Sequence, residues 1–183
     1  KTDKNGKAEI KNLDIGKYIL RETKTRKEYK IALEQNITIE WGKTLNLTIE
    51  NEKMKGKVKI TKISEDDNLI TGEVAGTPIA NVKFEIYDDS GKLVDTLITK
   101  TDGIAISKDL VVGKYIVKEK ETGEYYEINE NDFEVEITKN GEVVGLTISN
   151  KSKTLPPEKP KEETPKIEVP PIEPIKKLPV TGY

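Results

Sequence analysis

Gly113-Lys114-Tyr115-Ile116-Val117-Lys118-Glu119 is the stretch from which the fold is argued. Tyr115, Val117 and Glu119 fall on one side of an extended chain and Lys114, Ile116 and Lys118 on the other, the period of two that marks a half-buried strand. The same pattern occurs earlier as Gly16-Lys17-Tyr18-Ile19-Leu20-Arg21-Glu22. Each is preceded by a turn signal, Thr101-Asp102-Gly103 in one case and Thr2-Asp3-Lys4-Asn5-Gly6 in the other. Glu22 is followed by Asn51 after 29 residues and Glu119 by Asn150 after 31, so two copies of one module stay nearly in step. About 45 residues precede Thr101 in the second copy that have no counterpart in the first. The expectation is therefore a partial module over residues 1–54 and a complete one over residues 55–152.

Working outward, the alternation recurs in Val82, Phe84 and Ile86, in Phe133, Val135 and Ile137, and in Val144, Leu146 and Ile148. Asp89-Ser90-Gly91, Asp102-Gly103 and Asn140-Gly141 supply turns between these runs. No helical period is present. The fold class expected is all-β, a Greek-key sandwich.

Lys and Arg number 31 against 33 Asp and Glu, with both signs scattered, so no basic stripe suits a phosphate backbone and no nucleic-acid partner is expected. The chain has no Cys and no His, which removes thiol nucleophiles, histidine bases, disulfides and nearly all zinc sites. No cofactor and no external-substrate enzyme are expected. Glu65-Asp66-Asp67-Asn68 lacks the glycine and terminal glutamate spacing of a calcium loop and reads as a solvated turn, so no metal site is expected. No apolar run reaches a membrane span and the chain does not begin with Met, which reads as a fragment.

Three polar residues fall on inward faces. Lys62 is in phase with Val58 and Ile60, Glu119 with Tyr115 and Val117, and Asn150 with Leu146 and Ile148. Taken singly, each has an ordinary explanation as a snorkelling stem, a turn-facing carboxylate or a strand terminator. The first copy repeats two of them, with Glu22 in phase with Tyr18 and Leu20, and Asn51 in phase with Leu45, Leu47 and Ile49.

Val58-Lys59-Ile60-Thr61-Lys62, the run Pro78 to Tyr87, and Gly113 to Glu119 with Tyr126 seven residues later resemble the Cna B-type modules of Gram-positive surface proteins and pilins. The resemblance implies an Ig-like, prealbumin-like sandwich. It also implies an intramolecular isopeptide bond between Lys62 and Asn150, assisted by Glu119. The family pattern has Ala-Pro and Gly after that Glu; this chain has Thr122-Gly123 and Tyr125, and the first copy has Thr25-Arg26 and Glu28. Chemically, burial disfavours an ammonium and leaves a nucleophilic amine. A neutral Glu119 is expected to donate to the Asn150 carbonyl and to shuttle protons as ammonia leaves. The lysine interval of 57 residues, counted back from Glu22, falls before Lys1. Glu22 and Asn51 thus have no matched lysine, and Lys1, Lys4 and Lys7 are poor substitutes near a turn.

Eight of the nine prolines lie from Leu155 onward. Residues 153–177 are low in apolar content and read as a disordered spacer that in polyproline II form would reach up to roughly 75 Å. Leu178-Pro179-Val180-Thr181-Gly182 follows and resembles the LPXTG sorting signal of wall-anchored proteins. That resemblance implies a sortase as partner, cleavage after Thr181, covalent attachment of Thr181 to peptidoglycan, and a secreted protein held in the cell wall. The function expected is a structural stalk module of a surface adhesin or pilin-like protein. The alternative is a module that binds a host or matrix ligand directly. A shaft pilin joined through its own lysine would need a Tyr-Pro-Lys segment, which the chain lacks.

Overall fold

The computed structural model describes residues 1–154. Ten strands are present among them: β1 (Gly16–Leu20), β2 (Gln35–Ile39), β3 (Lys55–Ser64), β4 (Lys83–Asp88), β5 (Leu93–Ile98), β6 (Ile104–Ile106), β7 (Leu110–Val111), β8 (Gly113–Glu121), β9 (Asp132–Ile137) and β10 (Val143–Asn150). The described residues are all-β, as the alternation requires. The residues after 154, which include most of the expected spacer and the whole Leu178–Gly182 motif, lie outside the described residues.

From Lys55 onward two sheets face each other. One runs β10-β3-β6, with β7 also pairing the start of β3, and the other runs β5-β4-β8-β9. The first and last strands are parallel neighbours, with Val143 opposite Lys57 and Asn150 opposite Ser64. The core between the sheets is made by the residues that alternation singled out. Val58, Ile60, Val82, Phe84, Ile86 and Val117 are completely buried, and Ile137 and Ile148 are nearly so. Burying each such side chain contributes roughly 1.5–3 kcal/mol. At Gly56 a Cβ would sit 2.5 Å from the Glu142 carbonyl oxygen and 2.6 Å from Ile137 Cγ2, so only glycine lets β3 pass under the β9–β10 connection.

The first copy shares local geometry with the second. The Tyr18 hydroxyl donates to the Asp14 carbonyl at 2.8 Å, and the Tyr115 hydroxyl donates to the Val111 carbonyl, four residues upstream in each copy. Tyr29 bridges Lys53 as Tyr126 bridges Ser152. The Lys30 N–H donates to the Glu52 carbonyl as the Glu127 N–H does to that of Lys151, both at 2.8 Å. Packing is where the copies part: no residue before Gly56 is buried, and β1 and β2 form a two-stranded ribbon alone.

Two expectations need correcting. Leu45, Leu47, Ile49 and Asn51 alternate like a last strand, yet residues 43–51 form no strand and the three apolar side chains are 40–45% exposed. In the second copy the equivalent strand is held by parallel pairing to β3, and residues 1–54 contain no counterpart of β3 to supply that ladder. The Glu65–Asn68 turn is also not fully solvated. Glu65, Asp66 and Asp67 are exposed, but Asn68 is buried, with Oδ1 accepting from the Ile70 and Thr71 N–H groups and Nδ2 donating to the Tyr125 carbonyl at 3.3 Å.

Candidate cross-linking site

Strand alternation delivers one polar side chain from each of three strands to the same end of the core. β3 places Lys62 two residues beyond Ile60, β8 places Glu119 two beyond Val117, and β10 places Asn150 two beyond Ile148. The structure brings all three together with almost no exposure: Lys62 0%, Glu119 5% and Asn150 2%.

Lys62 Nζ donates to Asn150 Oδ1 and lies 3.1 Å from Glu119 Oε2. Asn150 Nδ2 donates to Glu119 Oε1 at 2.5 Å and to Thr122 Oγ1 at 2.8 Å. The 3.1 Å approach is an ion-pair distance but lies off the line of a hydrogen bond, so Glu119 Oε2 is buried without a hydrogen-bond partner. A bare carboxylate oxygen beside an ammonium is placed to accept a proton. Burial pushes the Lys62 amine below its ordinary value, and the nearby Glu119 carboxylate opposes that shift without overcoming it.

The site differs from the sequence-based expectation in one respect. Glu119 faces the carboxamide nitrogen, not the carbonyl, and Oδ1 faces the lysine. Its carboxyl group is therefore positioned on the carboxamide nitrogen rather than as a polariser of the carbonyl.

The backbone at Lys62 is also held from outside the triad. Its N–H donates to the Gly103 carbonyl at 2.8 Å, and its own carbonyl accepts from the Ile79 N–H at 3.0 Å. Gly103 has φ +69°, and a Cβ there would collide with the Lys62 carbonyl oxygen and approach Pro78 Cβ to 3.0 Å. The turn glycine read from the sequence is thus part of the support of the site.

In the first copy Asn51 Nδ2 donates to Glu22 Oε2 at 2.5 Å and to the Lys30 carbonyl at 2.8 Å. Glu22 Oε2 also accepts from the Ala32 N–H at 2.7 Å, and that backbone bond, with the one from Asn51, holds its carboxyl below the usual range. Among the described residues neither Lys1, Lys4 nor Lys7 is hydrogen bonded or ion paired to Glu22 or Asn51. Carboxylate and carboxamide are therefore paired here without an amine.

Sequence reasoning missed Thr122 as a partner of Asn150. The signal was present, because Thr25 stands three residues after Glu22 as Thr122 stands three after Glu119, while the residues between differ.

An amine and a carboxamide enclosed between two sheets, out of reach of any external substrate, define a structural domain suited to modifying itself. The comparisons place that class. The model of the prealbumin-like fold domain family matches residues 1–53 and again residues 56–152. The chain belongs to this family, part of the Cna B-like superfamily of Gram-positive surface proteins and pilins. The structure of the Bacillus anthracis TIE protein is 33% identical, with a TM-score of 0.71 over 82% of this chain and 28% of that one. The trypsin-resistant surface T6 protein of Streptococcus pyogenes serotype M6 is 33% identical over 88 residues, which is 48% of this chain and 16% of that protein. The minor pilin GBS52 of Streptococcus agalactiae is 23% identical, covering 85% of this chain and 68% of that one with a TM-score of 0.47. The chain thus spans 28% and 16% of the length of the first two.

Proposed function

We propose that residues 55–152 are a complete stalk module of a cell-wall-anchored adhesin or pilin-like protein, stiffened by an isopeptide bond between Lys62 and Asn150. Residues 1–54 are the later part of a preceding module, residues 153–177 a spacer through the wall, and Leu178–Gly182 the sortase motif. The observation that carries this reading is the burial of Lys62, Glu119 and Asn150 in mutual contact.

The chemistry balances within the three side chains. Lys62 passes a proton across the 3.1 Å gap to Glu119 Oε2, which leaves an amine whose lone pair attacks Asn150 Cγ. Once attack has made Nδ2 basic, the Glu119 carboxyl, whose Oε1 lies 2.5 Å from Nδ2, rotates to deliver that proton from Oε2, and the Cγ–Nδ2 bond breaks. The second proton shed by Nζ passes to Glu119, which ends as a neutral carboxyl, and the nitrogen leaves as ammonia. One amide forms and one ammonia is lost. A buried ion pair becomes neutral, which removes the penalty of keeping two charges out of water.

Intact-mass measurement tests the reading. The chain is expected one ammonia lighter than its sequence, with the cross-linked peptides containing Lys62 and Asn150; an uncorrected mass refutes it. The anchor is tested separately with Pro179→Ala in the full-length protein, expected to shift the protein from the wall to the medium. Unchanged wall retention refutes that part alone.

A further inference from the structure

We infer that Thr122 is the residue that orients the leaving nitrogen of Asn150; the inference rests on the cross-linking reading above. A primary carboxamide attached through a single bond can present either its oxygen or its nitrogen to a neighbour. At Asn150 the choice is made by acceptors. Both hydrogens of Nδ2 are used, one by Glu119 Oε1 at 2.5 Å and one by Thr122 Oγ1 at 2.8 Å, while Oδ1 takes the Lys62 donor. Glu119 alone does not fix this arrangement once it has accepted a proton from Lys62, because a neutral carboxyl both donates and accepts and so tolerates a flipped amide. In that flipped state the nitrogen would face the lysine and the proton on Glu119 would face the carbonyl. Thr122 takes no part in the proton transfer, so the hydrogen bond its Oγ1 accepts from Nδ2 is the same before and after it and weights the observed orientation while the Glu119 carboxyl loses its charge.

Placement supports the assignment. Thr122 is the first residue past β8, half-buried, and the turn that follows is closed by the Tyr126 N–H donating to the Gly123 carbonyl at 3.0 Å. The hydroxyl is therefore held by the backbone and does not reach in from a mobile loop. The first copy keeps the same residue at the same offset, although there the second Asn51 Nδ2 hydrogen goes to the Lys30 carbonyl at 2.8 Å. A threonine retained at that offset in both copies, beside Thr23-Lys24 in one and Lys120-Glu121 in the other, follows the glutamate and not its local sequence.

Cell-free synthesis of the full chain, with samples quenched over time and weighed intact, reads the rate of ammonia loss directly. Thr122→Val, close in shape but without the hydroxyl, is expected to slow the loss roughly tenfold, the effect of one hydrogen bond on a barrier. Thr122→Ser is expected to restore the rate to within about threefold. The rate of Thr122→Val should keep the pH dependence of the unaltered chain, because the proton still moves between Lys62 and Glu119. An equal rate in Thr122→Val, or a slow rate that Ser does not rescue, overturns the inference. Should Thr122→Val fail to fold, a Thr122→Ala chain that folds and reacts at the unaltered rate overturns it equally. No ammonia loss in the unaltered chain would instead defeat the cross-linking reading itself, a result distinguishable from any of these.

Discussion

Replacing Asn150 with alanine removes the acceptor of the cross-link while leaving Lys62 and Glu119 beside each other, so the charge pair survives and the closure does not. Lys62 and Asn150 are 88 positions apart. The chain-entropy relation for a loop of that size gives about 4.6 kcal/mol of stabilisation from constraining the unfolded state. For a domain of roughly 100 residues that corresponds to a fall in Tm of roughly 20 to 35 °C. Loss of the hydrogen bonds at Nδ2 adds to this, so a thermal shift alone does not isolate the cross-link. The denaturant slope does, because an uncross-linked chain exposes more surface on unfolding and should give a larger m. Urea titration followed by fluorescence and circular dichroism, with Lys59→Ala as an outward-facing control, measures both. Glu119→Gln should retain its ammonia even though Lys62 and Asn150 are both present. A Tm within about 5 °C of the unaltered chain, together with an unchanged m, would refute the reasoning.

Four further outcomes are expected. Gly103→Ala should push against the Lys62 carbonyl and Pro78, lowering stability by about 1–3 kcal/mol and slowing ammonia loss, read by thermal melts and time-resolved mass. In Asn150→Ala, where no bond forms, Lys62 releases its proton at lower pH when folded than when unfolded. Between those two values the unfolded chain binds more protons, so stability should rise with pH toward the ordinary lysine value of 10.5, and adding Lys62→Met should flatten the rise. Hydrogen exchange should show Tyr18–Leu20 far less protected than Tyr115–Glu119, since β1 has one partner strand and no buried residue; equal protection would show that the first copy stands alone. In single-molecule pulling, Glu119→Gln should release about 300 Å more contour length than the unaltered chain, the extended length of the closed loop, and equal extensions would count against closure.

The inward set was legible because a strand has period two and its inner face is uniform. Val58, Ile60 and Lys62 are buried on one side of β3 while Lys57, Lys59 and Thr61 are only half-covered, so the sequence alone separated a core lysine from its neighbours. Alternation does not say which strand lies beside which. The parallel pairing of β3 with β10 depends on the whole path of the chain, and no local pattern encodes it. Residues 43–51 show the same limit in reverse, since their period is that of a strand but a ladder needs a partner. The roles of Asn68, Thr122 and Gly103 were hidden for a related reason: each is defined by a group far along the chain, Tyr125, Asn150 and Lys62 respectively.

The joint between the copies would give the proposed cross-link its mechanical meaning. The Met54 N–H donates to the Glu28 carbonyl at 2.8 Å, its own carbonyl accepts from the Val112 N–H at 3.0 Å, and β3 begins at the next residue. A pull arriving from the first copy therefore enters β3 at Lys55 without a slack segment to absorb it. Because β10 runs parallel to β3, entry at the start of one and exit at the end of the other loads their shared ladder in shear. Each of those hydrogen bonds contributes only about 1 kcal/mol net, so the ladder resists only while its members act together. The proposed covalent link from Lys62 to Asn150 would lie at the exit end of that ladder and would carry the pull from β3 into the last residue of β10. With that link in place, the strands between Ile63 and Ser149 would lie off the path of the force, and the core they enclose would remain packed under a tension that strips an unlinked sandwich from its first strand.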